Sequence, residues 1–134
     1  MSRLCLLAQT EADLPAVSAL LQDAVLRVQD VAHERRRLVL MVNRFRWEAD
    51  ETAGGPSRVR AALRVETVGA VQRLRWPSGE AVLNLLALEW AAPFLTLRFS
   101  EGIALRATCE VLDLVVEDVS DPWETLRRPE HPDD

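Results

Sequence analysis

The sequence predicts an α+β chain that is mostly β: an antiparallel meander sheet or incomplete barrel, with one N-terminal helix and a short C-terminal helix. Three observations carry this. A helical period occurs near the start, where Leu14, Val17, Leu21 and Ala24 recur on one face. After Ala24 the apolar period changes to two, the period of a strand with one covered face. The breaks between alternating runs are hairpin-short, which forces antiparallel pairing.

The elements follow in order. Arg3–Ala8 reads as a short apolar strand. In the helix after it, Thr10 is the candidate cap, Asp13 suits the first turn, and Pro15 belongs within that turn. Val25, Leu26, Val28 and Val31 give a broken alternation. LVLMVNRFRWE, Leu38–Glu48, is a clear strand, apolar on both faces at first and on one face later. We expect Val39, Met41, Phe45 and Trp47 to point inward and Arg44, Arg46 and Glu48 outward. Ala49–Ser57 is a turn or loop. In RVRAALRV, Val59, Ala61, Leu63 and Val65 alternate with Arg58, Arg60 and Arg64. Gly69 suggests a turn or bulge before AVQRLRW. VLNLLALEW is composed of helix formers, but WAAP and FLTLRF follow at hairpin spacing, so it is read as a strand. Gly102 serves the next turn. The run Ile103–Asp118 is too long for one strand and slips register near Cys109–Leu112, which predicts a bend there. SDPWETL has a capping pattern for a short helix, with Asp121 as cap, Pro122 first and Glu124 third. One domain over 1–127 and a frayed polar tail over 128–134 account for the chain.

Composition narrows the function. The chain has 134 residues and a net charge of −5, which weighs against a generic nucleic-acid binder. Its basic residues are all arginine, the ordinary outcome of GC-rich codon usage. No apolar run approaches the ~20 residues of a membrane helix. MSRLCLLAQTEADL lacks the shape of a signal peptide, and two cysteines make no disulfide framework. The expectation is a cytoplasmic, membrane-free protein.

Chemistry is sparse. Cys5, His33, Cys109 and His131 have no metal-ligand spacing, so no metal is expected, and no cofactor motif is visible. Cys109 and His33 lack any local signature of a nucleophile and its base. Gly54-Gly55 precedes a strand and forms no phosphate cradle. Asp113, Glu117 and Asp118 resemble the charged edges that block sheet aggregation.

The arginine rows stand out. Arg44 and Arg46 share one strand face; Arg58, Arg60 and Arg64 share another; Arg73 and Arg75 share a third. Were these strands neighbours, the rows would form one cationic stripe bordered by Trp47 and Trp76, suited to an acidic protein surface. The plainer reading is a solvated face whose arginines pair with Glu48, Glu66 and Asp50. Trp47, Trp76, Trp90 and Trp123 stand near element ends, where aromatics close cores or anchor interfaces.

SALLQDAVLRV, LVLMVNRFRWE, RVRAALRV, AVLNLLAL and DPWETLRRPEHP together resemble an uncharacterised bacterial family, the domain-of-unknown-function family numbered 2948. The resemblance spans nearly the whole chain. It implies a single-domain cytoplasmic protein and supplies no catalytic residue, substrate or cofactor.

Two expectations result. The first is a non-enzymatic binding or adaptor module using Arg44, Arg46, Arg58, Arg60 and Arg64, with Trp47 as anchor and an acidic protein surface as partner. A homo-oligomer is compatible with it. The second is a small-ligand binder or enzyme with a cavity near Asn43, faced by Gln22, Asp23 and His33.

Overall fold

The computed structural model describes residues 3–47 and 56–124. Glu48, Asp50, the glycine pair, His131, the 128–134 tail and the latter part of the expected C-terminal helix lie outside these residues.

The chain opens with β1 (Cys5–Ala8), a single 3-10 turn over Glu11–Asp13, and α1 (Leu14–Leu21). Asp13 caps this start: its Oδ2 accepts the backbone N–H groups of Gln9 at 2.9 Å and Thr10 at 3.0 Å. Those bonds, Gln9's first, hold the Asp13 carboxyl below its ordinary pKa of 3.8. Pro15 sits in the first turn, where its missing N–H costs no intrahelical bond. Leu14, Val17 and Leu21 are buried as the period predicts. Ala24 is buried too, but as part of a strand: Asp23 adopts a left-handed conformation (φ 63°) and turns the chain out of the helix.

The broken alternation resolves into β2 (Ala24–Arg27), a 3-10 turn at Val28–Asp30, and β3 (Val31–Glu34). There follow β4 (Arg37–Phe45), β5 (Ser57–Val65), β6 (Val68–Leu74), β7 (Val82–Ala91), β8 (Phe94–Phe99), β9 (Ala104–Cys109), β10 (Leu114–Asp118) and β11 (Trp123–Glu124). All pairings are antiparallel in one eleven-stranded sheet. The sheet is open rather than closed into a barrel, and its main path runs β1-β10-β5-β4-β2-β7-β8-β9-β6. β3 adds to β4, and β11 adds to β5. This order departs from a simple meander, because β1 and β5 both flank β10.

The expected bend at Cys109–Leu112 divides β9 from β10, and a facing corner at Glu66–Thr67 divides β5 from β6. Thr67 ties the corners together. Its φ of 60° is unusual for a β-branched residue, and its hydroxyl donates to the Val111 carbonyl at 2.8 Å while accepting the Val111 N–H at 3.3 Å. The register shift between Val68 and Ala70 places the expected bulge at Gly69.

Curling gives the sheet an inner face. Leu38, Leu40 and Val42 of β4, Val59, Ala61, Leu63 and Val65 of β5, and Leu83, Leu85 and Leu88 of β7 fill it, with α1 packed on β7 and β4. Ser18 fixes that contact by bonding both the N–H and the carbonyl of Leu88. Trp76 and Trp90 pack at the margin of this core.

The C-terminal expectation fails at Trp123–Glu124, which form strand rather than helix. The end of β5 beyond β10 is an open ladder edge, and pairing to Arg58 and Ser57 outweighs the local capping pattern. Among the described residues no helix is long and apolar enough to cross a membrane.

Candidate functional site

Side-chain parity on β4 and β5 decides which arginines meet. Directly opposed residues of an antiparallel pair share a face. Asn43 opposes Arg60, Phe45 opposes Arg58, and Val39 opposes Arg64. β11 adds Trp123 beside Arg58, and β2 adds Val25 beside Asn43. Arg58, Arg60 and Arg64 therefore share the outer face with Asn43.

Arg44 does not join them. It opposes Val59 and continues the series Leu38, Leu40, Val42 on the inner face, where it is fully buried. Its expected outward orientation is thus corrected. Asp118 of β10, 7% exposed, accounts for its presence there. Arg44 Nε donates to Asp118 Oδ1 at 2.9 Å, Nη2 to Oδ2 at 2.8 Å, and Nη1 to the Phe45 carbonyl at 3.3 Å. Two planar groups meet in a fork, the geometry that makes arginine tolerable in a core. Arg46 lies just past the strand end, half-buried, its backbone N–H on the Ser57 carbonyl and its Nη1 on Ser57 Oγ at 3.2 Å. The single stripe linking Arg44 and Arg46 to the β5 row does not exist. Arg73 lies on β6 at the far end of the sheet path.

What assembles instead is a compact cluster at one end of the outer face. Phe45, inward-pointing by expectation, is fully buried within it on the outer side. Trp47 packs edge-on against Phe45, ring centres 4.6 Å apart, and its indole N–H donates to the Gln22 carbonyl at 3.2 Å. The Arg58 guanidinium lies 5.9 Å from the Phe45 ring and donates from Nη1 to the Asn43 carbonyl at 3.2 Å. Burial lowers the Arg58 pKa, and the nearby charge of Asp23 opposes that fall. Arg60 donates from Nη1 to Asn43 Oδ1 at 3.2 Å, and its Nη2 is 3.8 Å from Asp30. Trp123, 42% exposed, flanks Arg58 on the solvent side.

Of the acids expected to pair with these arginines, Glu48 and Asp50 lie outside the described residues, and Glu66 is engaged elsewhere. Glu66 pairs with Arg37 at 2.8 Å, while Asp30 serves Arg60 and Glu117 serves Arg64 at 3.1 Å. Asp30 was missed because β2 and the turn after it join β4 through non-local pairing.

The groups expected to face a ligand cavity divide. Gln22 and Asp23 border the cluster with Asn43, whose side-chain oxygen is met by Arg60. His33 stands exposed on β3 opposite Leu38, toward the other end of β4. Of the described cavities, one of about 640 Å3 lies at the β3–β4 and β5–β6 turns around Arg35, Arg36, Arg37 and Glu66. Another, of about 430 Å3, lies on β6, β8 and β9.

Catalytic chemistry finds little support in this geometry. Cys109 is buried, and burial raises its pKa, so the thiol stays protonated and weakly nucleophilic. Asp118 and Glu117 are engaged by arginines. Among the described residues no three histidine, cysteine or acidic side chains gather as metal ligands.

No curated protein and no solved structure matches the chain. The family model described as a protein of unknown function, DUF2948, matches residues 4–131. That match covers nearly the whole sequence, and the chain belongs to this family.

Proposed function

We propose that the chain is a non-enzymatic binding module that docks an acidic protein surface on the outer face of β11, β5 and β4. Trp123 is the anchor, and Arg58 and Arg60 supply the polar contacts. One observation carries the reading: a substantially exposed tryptophan stands beside an arginine already partly desolvated by its neighbours. Tryptophan and arginine dominate the energetics of protein interfaces, and a guanidinium held in place by Phe45 and Asn43 loses little freedom on binding. Trp47 serves as the support beneath this patch, and Arg46 braces its edge. The negative net charge of −5 disfavours nucleic acid as the partner. The two free thiols suit a reducing cytoplasm, where we place the protein.

The test is affinity capture from native lysate at moderate salt, comparing wild type, Trp123→Ala, Arg58→Ala/Arg60→Ala and the control Arg64→Ala. We expect an acidic partner that wild type and control retain and both site variants lose. A partner held equally by all four chains removes this surface from consideration. Arg44→Ala is unsuitable here, since it acts on the core.

A further inference from the structure

A second surface lies at the opposite end of the sheet. β6 ends the strand path and, among the described residues, pairs only with β9. Val68 gives its outward N–H to the Arg36 carbonyl at 2.9 Å, and beyond it the outer backbone edge, Gly69 to Leu74, is a ladder template without proline. The strands that lead to it are β8 (FLTLRF), β9 (ALRATC) and β6 (VGAVQRL). They carry Arg98, Arg106 and Arg73 and not one carboxylate, in a chain whose net charge is −5.

The side chains make this edge more than a charged margin. Arg106 reaches from β9 across to β6, where its Nε meets Gln72 Oε1 at 2.9 Å and its Nη2 meets the same oxygen. Its guanidinium stacks 4.2 Å over Phe94, which holds it in that pose. The fork thus lies over the last strand, within about one strand spacing, ~4.8 Å, of whatever would pair next. Arg73 projects from β6 on the opposite face, stacked over Trp76 at 5.7 Å. Leu74, 58% exposed, offers an apolar contact at the same rim. Gln72, Leu74, Thr96, Arg98 and Arg106 border the depression of about 430 Å3. Glu89 of β7 pairs with Arg98 at 2.6 Å.

We infer that β6 receives an extended acidic peptide as an added strand. Added antiparallel, the peptide bonds the free edge through its main chain, and its carboxylates at alternate residues share one face and meet Arg106 there, while Arg73 adds to the positive potential of the rim. A nucleic acid fits less well. Single strands bind by stacking bases on open aromatic faces, and here Arg106 covers Phe94 while Arg73 covers Trp76. This surface is separate from the Trp123–Arg58 cluster, and either assignment stands without the other.

The probe is a fluorescein-labelled octapeptide alternating Asp and Val, followed by anisotropy at low salt. Two companions carry backbone N-methyl groups at every Val or at every Asp. We expect saturable binding, a loss of about tenfold or more with Arg73→Ala/Arg106→Ala, and no change with Arg58→Ala/Arg60→Ala. One N-methylated companion should lose binding and the other keep it, because only one edge of a strand faces β6. Both arginines are on the surface, and circular dichroism checks that the variant folds. Several results overturn the proposal: no saturable binding below about 1 mM, equal binding by both N-methylated peptides, or an octathymidylate binding as tightly. A concentration-dependent dimer that the peptide does not dissociate would assign the edge to a second copy and overturn it as well.

Discussion

Glu117 and Asp118 are consecutive on β10, and each pairs with an arginine, yet they live in different solvents. Glu117 turns outward to Arg64, where the two side chains are 43% and 32% exposed and meet through one nitrogen at 3.1 Å. Asp118 turns inward to Arg44, 7% and 0% exposed, and receives two parallel bonds. Strand parity alone separates them. The outer pair exchanges hydration for a weak attraction and sits close to neutral in free energy. The inner pair has given up its hydration, so each partner depends on the other to remain charged in the core. Carboxylates at adjacent positions, each paired with an arginine, thus have very different consequences when one partner is removed.

Breaking the inner pair should have the largest effect. Arg44→Ala or Asp118→Ala each leaves one buried charge without its counter-charge, at a cost of about 3–5 kcal/mol. That is a large part of the ~5–15 kcal/mol that stabilises a domain of this size. Urea titration measures it, and a loss below about 1 kcal/mol would show that water reaches the site. Arg44→Met/Asp118→Leu should recover most of the loss, because removing both charges also removes the demand for pairing. If the double variant is as unstable as the singles, the arginine's volume and its bond to the Phe45 carbonyl matter more than its charge.

This comparison also shows what was legible in the sequence. The β5 core is readable from period two, and Val59, Ala61, Leu63 and Val65 are all buried as expected, whereas on β4 the inner series is Leu38, Leu40 and Val42 and not the expected Val39 and Met41. The strand is apolar on both faces over Leu38–Val42, and Phe45 and Trp47 make the face opposite Arg44 look like the inner one, so period two alone does not show which face is covered. A second signal was present: Leu114, Val116 and Asp118 also alternate inward and also end on a charge. Two apolar series ending on opposite charges hint at a pair, but only the pairing of β4 and β10 to the two sides of β5 brings them together. That register is a tertiary fact. Trp123 teaches the same lesson from the other side. DPWE has correct local helix chemistry, and the free edge of β5, invisible in the local sequence, made it a strand. The Trp123–Arg58 cluster was only half legible for the same reason.

On the outer face, the double-mutant cycle of Arg64→Ala and Glu117→Ala should give a coupling of about 0.2–1 kcal/mol at low salt. Raising the salt to about 1 M contracts the screening length to ~3 Å and should erase it. The Arg44–Asp118 coupling should persist in the same salt, since ions do not enter the core. A salt-insensitive outer coupling would mean that Arg64 and Glu117 are less hydrated than their exposure indicates.

Asp13 adds a third setting, a solvent-facing carboxylate held by backbone N–H groups instead of a guanidinium, and the smallest expected effect. Its folded pKa lies below the unfolded 3.8, because the N–H groups of Gln9 and Thr10 bond the charged form. The folded state therefore binds protons less readily than the unfolded state. Asp13's contribution is complete above the unfolded pKa and is lost as pH falls through the folded one. Thermal melts of wild type and Asp13→Ala should show a gap that is constant near neutrality and narrows as the pH drops below about 4. A gap that held constant into strong acid would mean that the protonated carboxyl holds the Gln9 and Thr10 N–H groups as well as the carboxylate does. The cap would then be a matter of geometry, whereas for Arg44 and Asp118 the matter is charge.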